Sequence, residues 1–274
     1  MTAPVTSYQA LRGHLANLRM SAAAESLPGL LEEARVAKWT HTALLERLLA
    51  LEVDATIERR QASLARFACL PSPWRITDFD FDAQPAVDRK LVTELASLRF
   101  LEDATNLLFI GPPGVGKTML AVGLGWAAVE AGYRVHYTTA ADLAARCHRA
   151  AIEGRWATTM RFYAGPRLLI IDEVGYLPLP AEAAAALFQV VTQRYLKGSI
   201  ALTTNLGVGS WGKVFNDDPM VAAAMLDRLL HRSVVFNIDG QSYRMRAHRA
   251  RAAAARKALP KSDPTHPDQQ GEQP

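Results

Sequence analysis

The stretch GPPGVGKTML, residues 111–120, follows the apolar run Leu107-Leu108-Phe109-Ile110 and constrains this chain more than any other feature. Gly111, Gly114, Gly116, Lys117 and Thr118 meet the spacing of a phosphate-binding loop. Glycines let backbone N–H groups turn inward around phosphate oxygens. Lys117 is expected to reach the β- and γ-phosphates, and Thr118 to offer its hydroxyl to Mg²⁺. Pro112, Pro113, Val115 and Met119 complete the stretch expected to bind the nucleotide. The helix opening at the loop points its positive end at the same anion. Such a loop needs a buried strand before it and a helix after it, so it selects an α/β fold and makes ATP with Mg²⁺ the expected cofactor pair.

A second signal is LLIIDEVG, residues 168–175. Four apolar residues predict a buried strand, with two acids at its C-terminal edge, where ligands collect in open α/β sheets. Asp172 is expected to hold Mg²⁺, directly or through water, and Glu173 to polarise an attacking water. A third is SIALTTN, residues 199–205. There Asn205 ends a strand and is expected to orient that water or sense the γ-phosphate. Phosphoryl transfer also favours an arginine on the γ-phosphate in the transition state. Arg228 and Arg244 are candidates, and spacing alone does not choose between them.

Elsewhere the pattern alternates. Short β-like runs at 107–110, 134–138, 168–171, 199–203 and 234–238 are separated by helical stretches at roughly 117–130, 140–153, 181–196 and 220–231. Alternation of this kind predicts a parallel sheet of five strands covered on both faces. Residues 7–68 look helical and separate. Tyr8, Leu11, Leu15 and Leu18 recur at helical spacing, and Leu44, Leu48 and Leu51 form a second stripe with Leu45 and Leu49 beside it. CLPSPW, residues 69–74, ends the helical run because its prolines remove donors and restrict their neighbours. The expected division is a small all-α N-terminal domain over 1–70, a linker over 71–76, an ATPase domain over 77–250 and a basic, then disordered, tail over 251–274.

Composition narrows the setting. Two isolated cysteines, Cys69 and Cys147, are expected to be unpaired in a reducing, cytoplasmic compartment. No apolar run approaches the length of a membrane span, and no signal peptide is read. The net charge of +4 permits a polyanionic partner without requiring one. The basic run Arg244, Arg246, Arg249, Arg251, Arg256, Lys257 and Lys261 holds no acid. It is either a solvated tail or a surface for a polyanion.

The order GPPGVGKT, LLIIDE, TTN, LDRLLHR, SYRMR resembles the initiator and helicase-loader branch of AAA+ ATPases, related to DnaC and DnaA. ITDFDF (76–81), QRYLKGSIALTTN (193–205), WGKVFNDDPMVAAAMLDRLLHR (211–232) and GQSYRMR (240–246) are more similar still to the IstB-like helpers of bacterial insertion-sequence transposases. The resemblance implies an AAA+ P-loop fold with a reduced C-terminal lid. It casts Arg228 as a finger reaching a neighbouring subunit's nucleotide and Arg244 as a second sensor on the γ-phosphate of its own subunit. It places Phe79 near the adenine. In initiator-type ATPases an inserted helix faces nucleic acid, and residues 140–167 look similar. Arg146, Arg149 and Arg155 are therefore expected to line a DNA groove, neutralising phosphates without reading bases. The implied function is ATP-dependent self-association on duplex DNA in support of an IstA-like transposase in the bacterial cytoplasm. The alternative is a DnaC-like loader of a replicative helicase. A nucleotide-gated scaffold with little turnover is a third reading, disfavoured by the intact Lys117, Asp172 and Glu173. The N-terminal helices are expected to bind the partner, pair subunits, or both.

Overall fold

The computed structural model describes residues 6–176, 181–215 and 218–245. The chain opens with three helices: α1 (Ser7–Asn17), α2 (Ser21–Val36) and α3 (His41–Ala68). Each start has a local cause. Thr6 caps α1 in a reciprocal box with Gln9, and the Thr40 hydroxyl accepts the Ala43 N–H at the start of α3. No glycine or proline interrupts α3, so it runs 28 residues and ends where Cys69 turns left-handed at φ 52°. Leu15, Ala23, Ala24, Leu27, Leu30 and Leu48 close a small core between these helices. A buried carboxylate fastens it. Glu52 of α3 accepts the Ala23 N–H at the start of α2 (3.0 Å) and pairs with Arg59 (2.5 Å). The Ala23 N–H, and after it Arg59, hold the Glu52 carboxyl below the usual range. The expected stripe divides: Leu48 is buried, Leu44 and Leu51 pack beside it, and Leu45 and Leu49 face solvent.

The last turns of α3 belong to a second core. Leu64, Ala65, Ala68 and Leu70 pack with residues of the central sheet. A 3₁₀ turn at Ile76–Asp78 and helices α4 (Arg89–Leu95) and α5 (Arg99–Glu102) follow. Strand β1 (Asn106–Ile110) then enters the sheet and α6 (Lys117–Glu130) leaves the phosphate loop. Next come β2 (Val135–Thr139), α7 (Ala140–Ile152), α8 (Trp156–Ala164), β3 (Leu168–Val174), α9 (Ala181–Arg194), β4 (Ser199–Thr204), a 3₁₀ segment at Val208–Phe215, α10 (Pro219–Leu230) and β5 (Ser233–Asn237).

All five strands are parallel, in the order β2-β3-β4-β1-β5. Every residue of β1 and β4 is buried, as expected of central parallel strands covered on both faces. One layer, with α6 and α3's end, packs around Leu107, Phe109, Ile170 and Ala201. The other, with α7, α8, α9 and α10, packs around Leu169, Ile171, Leu202 and Met225. The expected five-stranded parallel sheet is therefore present. The stretch between β2 and β3 holds α7, which stops just before Gly154 as the expected 140–153 bounds have it, and then α8; Gly154 turns left-handed at φ 67° between them.

Arg194, at the end of α9, is 1% exposed and gives its guanidinium to five backbone carbonyls, those of Tyr163, Ala164, Pro166, Arg167 and Ser199. It thus caps the C-terminus of α8 and ties it to the entries of β3 and β4. Burial lowers its pKa to about 10, which leaves it charged at neutrality. Cys69 and Cys147 are free thiols. No helix among the described residues is long and apolar enough to cross a membrane. The basic residues from Arg246 to Lys261, and the tail over 251–274, lie outside the described residues.

Candidate nucleotide site

The loop after β1 closes over itself. Lys117 Nζ donates to the carbonyls of Gly111 (2.6 Å) and Pro112 (2.8 Å), so the ammonium sits inside the curve that its own backbone makes. Burial pushes the Lys117 pKa down, Arg244 adds to that, and Asp172 opposes it. Two neighbouring segments press on the loop so closely that only glycine fits. A Cβ on Gly116 (φ 98°) would lie 2.6 Å from the Phe79 ring, and one on Gly114 (φ 84°) would lie 2.1 Å from Ser242 Oγ. The Tyr243 N–H donates to the Gly114 carbonyl (2.9 Å), which draws the segment after β5 across the loop.

A cavity of about 310 Å³ lies between these segments. Trp74, Phe79, Val115 and Met119 give it an apolar side, and Lys117, Thr118 and Arg244 give it a basic end. Buried Gln84 steadies the apolar side by donating to the Val115 carbonyl (3.2 Å). Beyond Lys117 and Thr118 a smaller cavity of about 140 Å³ is lined by Pro113, Glu173, Thr203, Asn205 and Arg244. An apolar slot opening onto a cationic cradle, then onto acids, has the polarity order of a base, a polyphosphate and a cation-bound oxygen.

The acidic pair is built by the sheet. Asp172 is 3% exposed at the end of β3, and Thr118 Oγ1 reaches both its oxygens, Oδ1 at 3.0 Å and Oδ2 at 3.1 Å. Tyr137 Oη of β2 donates to Oδ2 at 2.7 Å, and Thr203 Oγ1 of β4 donates to Oδ1. At the next residue the strand bulges. Glu173 is left-handed at φ 61°, the β3–β4 register shifts between Ile171 and Val174, and the Glu173 N–H donates to Thr203 Oγ1 at 3.0 Å. The bulge leaves Glu173 exposed beside the smaller cavity, whereas Asp172 stays within the sheet edge. A left-handed glutamate costs on the order of 1–3 kcal/mol and persists only where its surroundings enforce it. Thr118 and Asp172 offer hard oxygen donors and few of them, which fits Mg²⁺ completing its shell with phosphate and water.

The structure thus brings Gly111 to Met119, Phe79, Asp172, Glu173, Asn205 and Arg244 to one place. Arg228 lies apart from both cavities. On α10 its guanidinium donates to the Ala224 carbonyl (2.8 Å) and lies 5.0 Å from the Phe188 ring. Arg146 and Arg149 are exposed on α7 and Arg155 on the turn into α8. The Arg146 guanidinium lies 3.8 Å over the Phe162 ring, and Arg155 pairs with Glu153. Trp74, Gln84, Tyr137 and Thr203 join the site without having been expected from the sequence. Thr203 stood inside the TTN run. Tyr137 carried no signal beyond its place on the strand beside the acidic one.

Residues 13–252 match the family described as IstB-like ATP binding protein. This chain belongs to that family. An IS5376 insertion-sequence protein of Geobacillus stearothermophilus, named as ATP-binding, is 41% identical to this IstB-like chain over 232 residues, 85% of this chain and 92% of the relative. An IS21 counterpart in Pseudomonas aeruginosa is 39% identical over 249 residues, 91% and 94% of the two chains. Among solved structures, AMPPCP-bound DnaA from Aquifex aeolicus is similar with a TM-score of 0.51 at 21% identity, over 69% of this chain and 58% of that one. DnaI is similar with a TM-score of 0.50 at 15% identity, over 61% and 91%. At such identities the likeness is one of fold. The IstB-like chain therefore shares the fold of these two proteins.

Proposed function

We propose that this chain is a Mg²⁺-dependent ATPase that self-associates on duplex DNA and assists an insertion-sequence transposase in choosing or preparing its target site. The observation that carries the reading is the convergence of Lys117, Thr118, Asp172, Glu173, Asn205 and Arg244 around one cavity in an IstB-like protein. Lys117 would leave its loop carbonyls for the β- and γ-phosphates, exchanging neutral acceptors for charged ones. Thr118 and Asp172 would hold Mg²⁺, which when bound neutralises charge on the phosphate oxygens. Glu173 would orient water and take its proton as the γ-phosphoryl group leaves ADP. Asn205 would hold that water or the γ-phosphate, and Phe79 would flank the base.

Arg244 lines both cavities of its own chain, in keeping with a sensor acting in cis. Arg228 faces neither, in keeping with a finger that serves a neighbour. Nucleotide would then join adjacent subunits, and hydrolysis would release them. Arg146, Arg149 and Arg155 would meet backbone phosphates, and residues 1–70 would form the partner-facing domain ahead of the ATPase domain at 77–250. The setting is the bacterial cytoplasm, where DNA and ATP coexist.

The deciding experiment is size analysis of the purified protein with duplex DNA and ATP, ADP or no nucleotide. Larger assemblies with ATP and DNA together support the proposal, and a monomer under all three conditions overturns it. With residues 1–70 as bait, capture of the cognate transposase supports the client named here, whereas capture of a ring helicase supports the loader alternative.

A further inference from the structure

Asp172 is held from three directions by hydroxyl groups, and only one of them belongs to the phosphate loop. Tyr137 sits on β2 and Thr203 on β4, the two strands that flank β3. Each donates to a different oxygen, Tyr137 to Oδ2 and Thr203 to Oδ1. Thr118 approaches from the loop and meets both oxygens at nearly equal distance, 3.0 and 3.1 Å. The carboxylate plane is thus fixed at its two outer edges by the sheet, and its open side is turned to Thr118.

The two donors differ in what holds them. Tyr137 is a half-buried ring on β2 whose hydroxyl donates to Asp172. Thr203 is 1% exposed, and its oxygen also accepts the Glu173 N–H, so donating to Asp172 and bracing the bulge are one geometry. Neither residue lies in the phosphate loop.

We propose that Tyr137 and Thr203 are positioning residues, a two-sided clamp that presents the Asp172 carboxylate to the cation shared with Thr118. The assignment rests on the reading of Thr118 and Asp172 as the Mg²⁺ site. A carboxylate already held in plane has no rotamers to lose when a cation arrives. Partners of this kind behind a metal ligand typically set about 10- to 100-fold in metal affinity or activity. The clamp acts on the Asp172 carboxylate and through it on the cation shared with Thr118. Its removal should therefore change Mg²⁺ dependence more than it changes nucleotide binding without metal.

The test is a titration of a fluorescent ATP analogue against the full-length chain, in EDTA and across a Mg²⁺ series, for wild type, Tyr137→Phe, Thr203→Val and Thr203→Ser. Thermal denaturation without metal checks that each is folded. The clamp predicts that Tyr137→Phe and Thr203→Val raise the half-saturating Mg²⁺ concentration about 10-fold, a larger change than any in the affinity measured in EDTA. Thr203→Ser should return to near wild type. At saturating Mg²⁺ the defect should persist in kcat more than in KM for ATP. If wild type needs Mg²⁺ and folded Tyr137→Phe and Thr203→Val need no more of it, the clamp is overturned and the metal site stands. If wild type itself shows no Mg²⁺ dependence, the metal site falls and takes the clamp with it.

Discussion

In the proposed reaction Lys117 serves the phosphates and Glu173 the attacking water, and their substitution should separate binding from turnover. Lys117→Ala should weaken ATP binding by about 2–5 kcal/mol, since it removes a partly buried charge partner of the phosphates, and equilibrium titration reads this. Glu173→Gln should bind ATP normally yet hold it, so that ATP-loaded assemblies on DNA outlive wild-type ones in a disassembly assay. Arg194→Met tests a different kind of residue. It removes one guanidinium from five backbone carbonyls, and denaturant unfolding should show a destabilisation of more than about 3 kcal/mol.

These residues were unequally legible. The phosphate loop could be read because phosphate chemistry dictates residue types in contiguous order. Asp172 and Glu173 could be read because an apolar run stops abruptly at two acids. Tyr137 could not, because nothing in VHYTT distinguishes a hydroxyl that meets a carboxylate from one that meets water. Their meeting depends on the pairing of Tyr137 with Ile170 in the β2–β3 ladder. Arg194 was equally silent, since an arginine ending a helix ordinarily faces solvent.

Among the elements, the α3–β2–α8 junction makes the sharpest prediction. His136 of β2 is buried with Nδ1 3.1 Å from the Phe67 carbonyl of α3, its ring against Phe162 and Tyr163 of α8. Burial lowers its pKa below 6.5, the bond to Phe67 opposes this, and Arg146 of α7 and Arg134 add to the lowering. The sign follows: the unfolded chain takes a proton near 6.5 that the folded chain refuses, so stability contributed by neutral His136 is lost as pH falls from above 6.5. Melting temperatures at pH 8 and pH 5.5 should show this drop, and His136→Asn, which keeps a donor for Phe67, should lessen it. The α7 arginines belong to the same scale. Arg146→Glu with Arg149→Glu should weaken binding to duplex DNA and lower the salt slope by about 0.9 for each phosphate no longer neutralised. An unchanged slope would remove α7 from the DNA surface. The strand and helix order was legible from periodicity, because central strands must be apolar throughout. The end of α7 was legible too, the expected stretch stopping at 153 just before Gly154, but α8 was not marked out as a helix of its own.

At the scale of the molecule, ATP dependence of assembly is the proposal's main exposure. Arg228→Ala should leave ATP binding by isolated subunits unchanged but reduce the ATPase rate of DNA-bound assemblies on the order of 10³-fold, as removal of a finger supplied in trans does. Equal ATP binding with equal assembled turnover would return Arg228 to a purely structural part on α10. The long helix α3 joins two cores, with α1 and α2 packed near its beginning and the sheet packed near its end. At 28 residues it measures about 42 Å. By geometry alone, a tilt of roughly 10° where it rests on the sheet would swing the far tip through about 7 Å over that length. Were the proposed function to draw on that length, a few degrees at the sheet would become several ångströms at α1 and α2, the end proposed to face a partner.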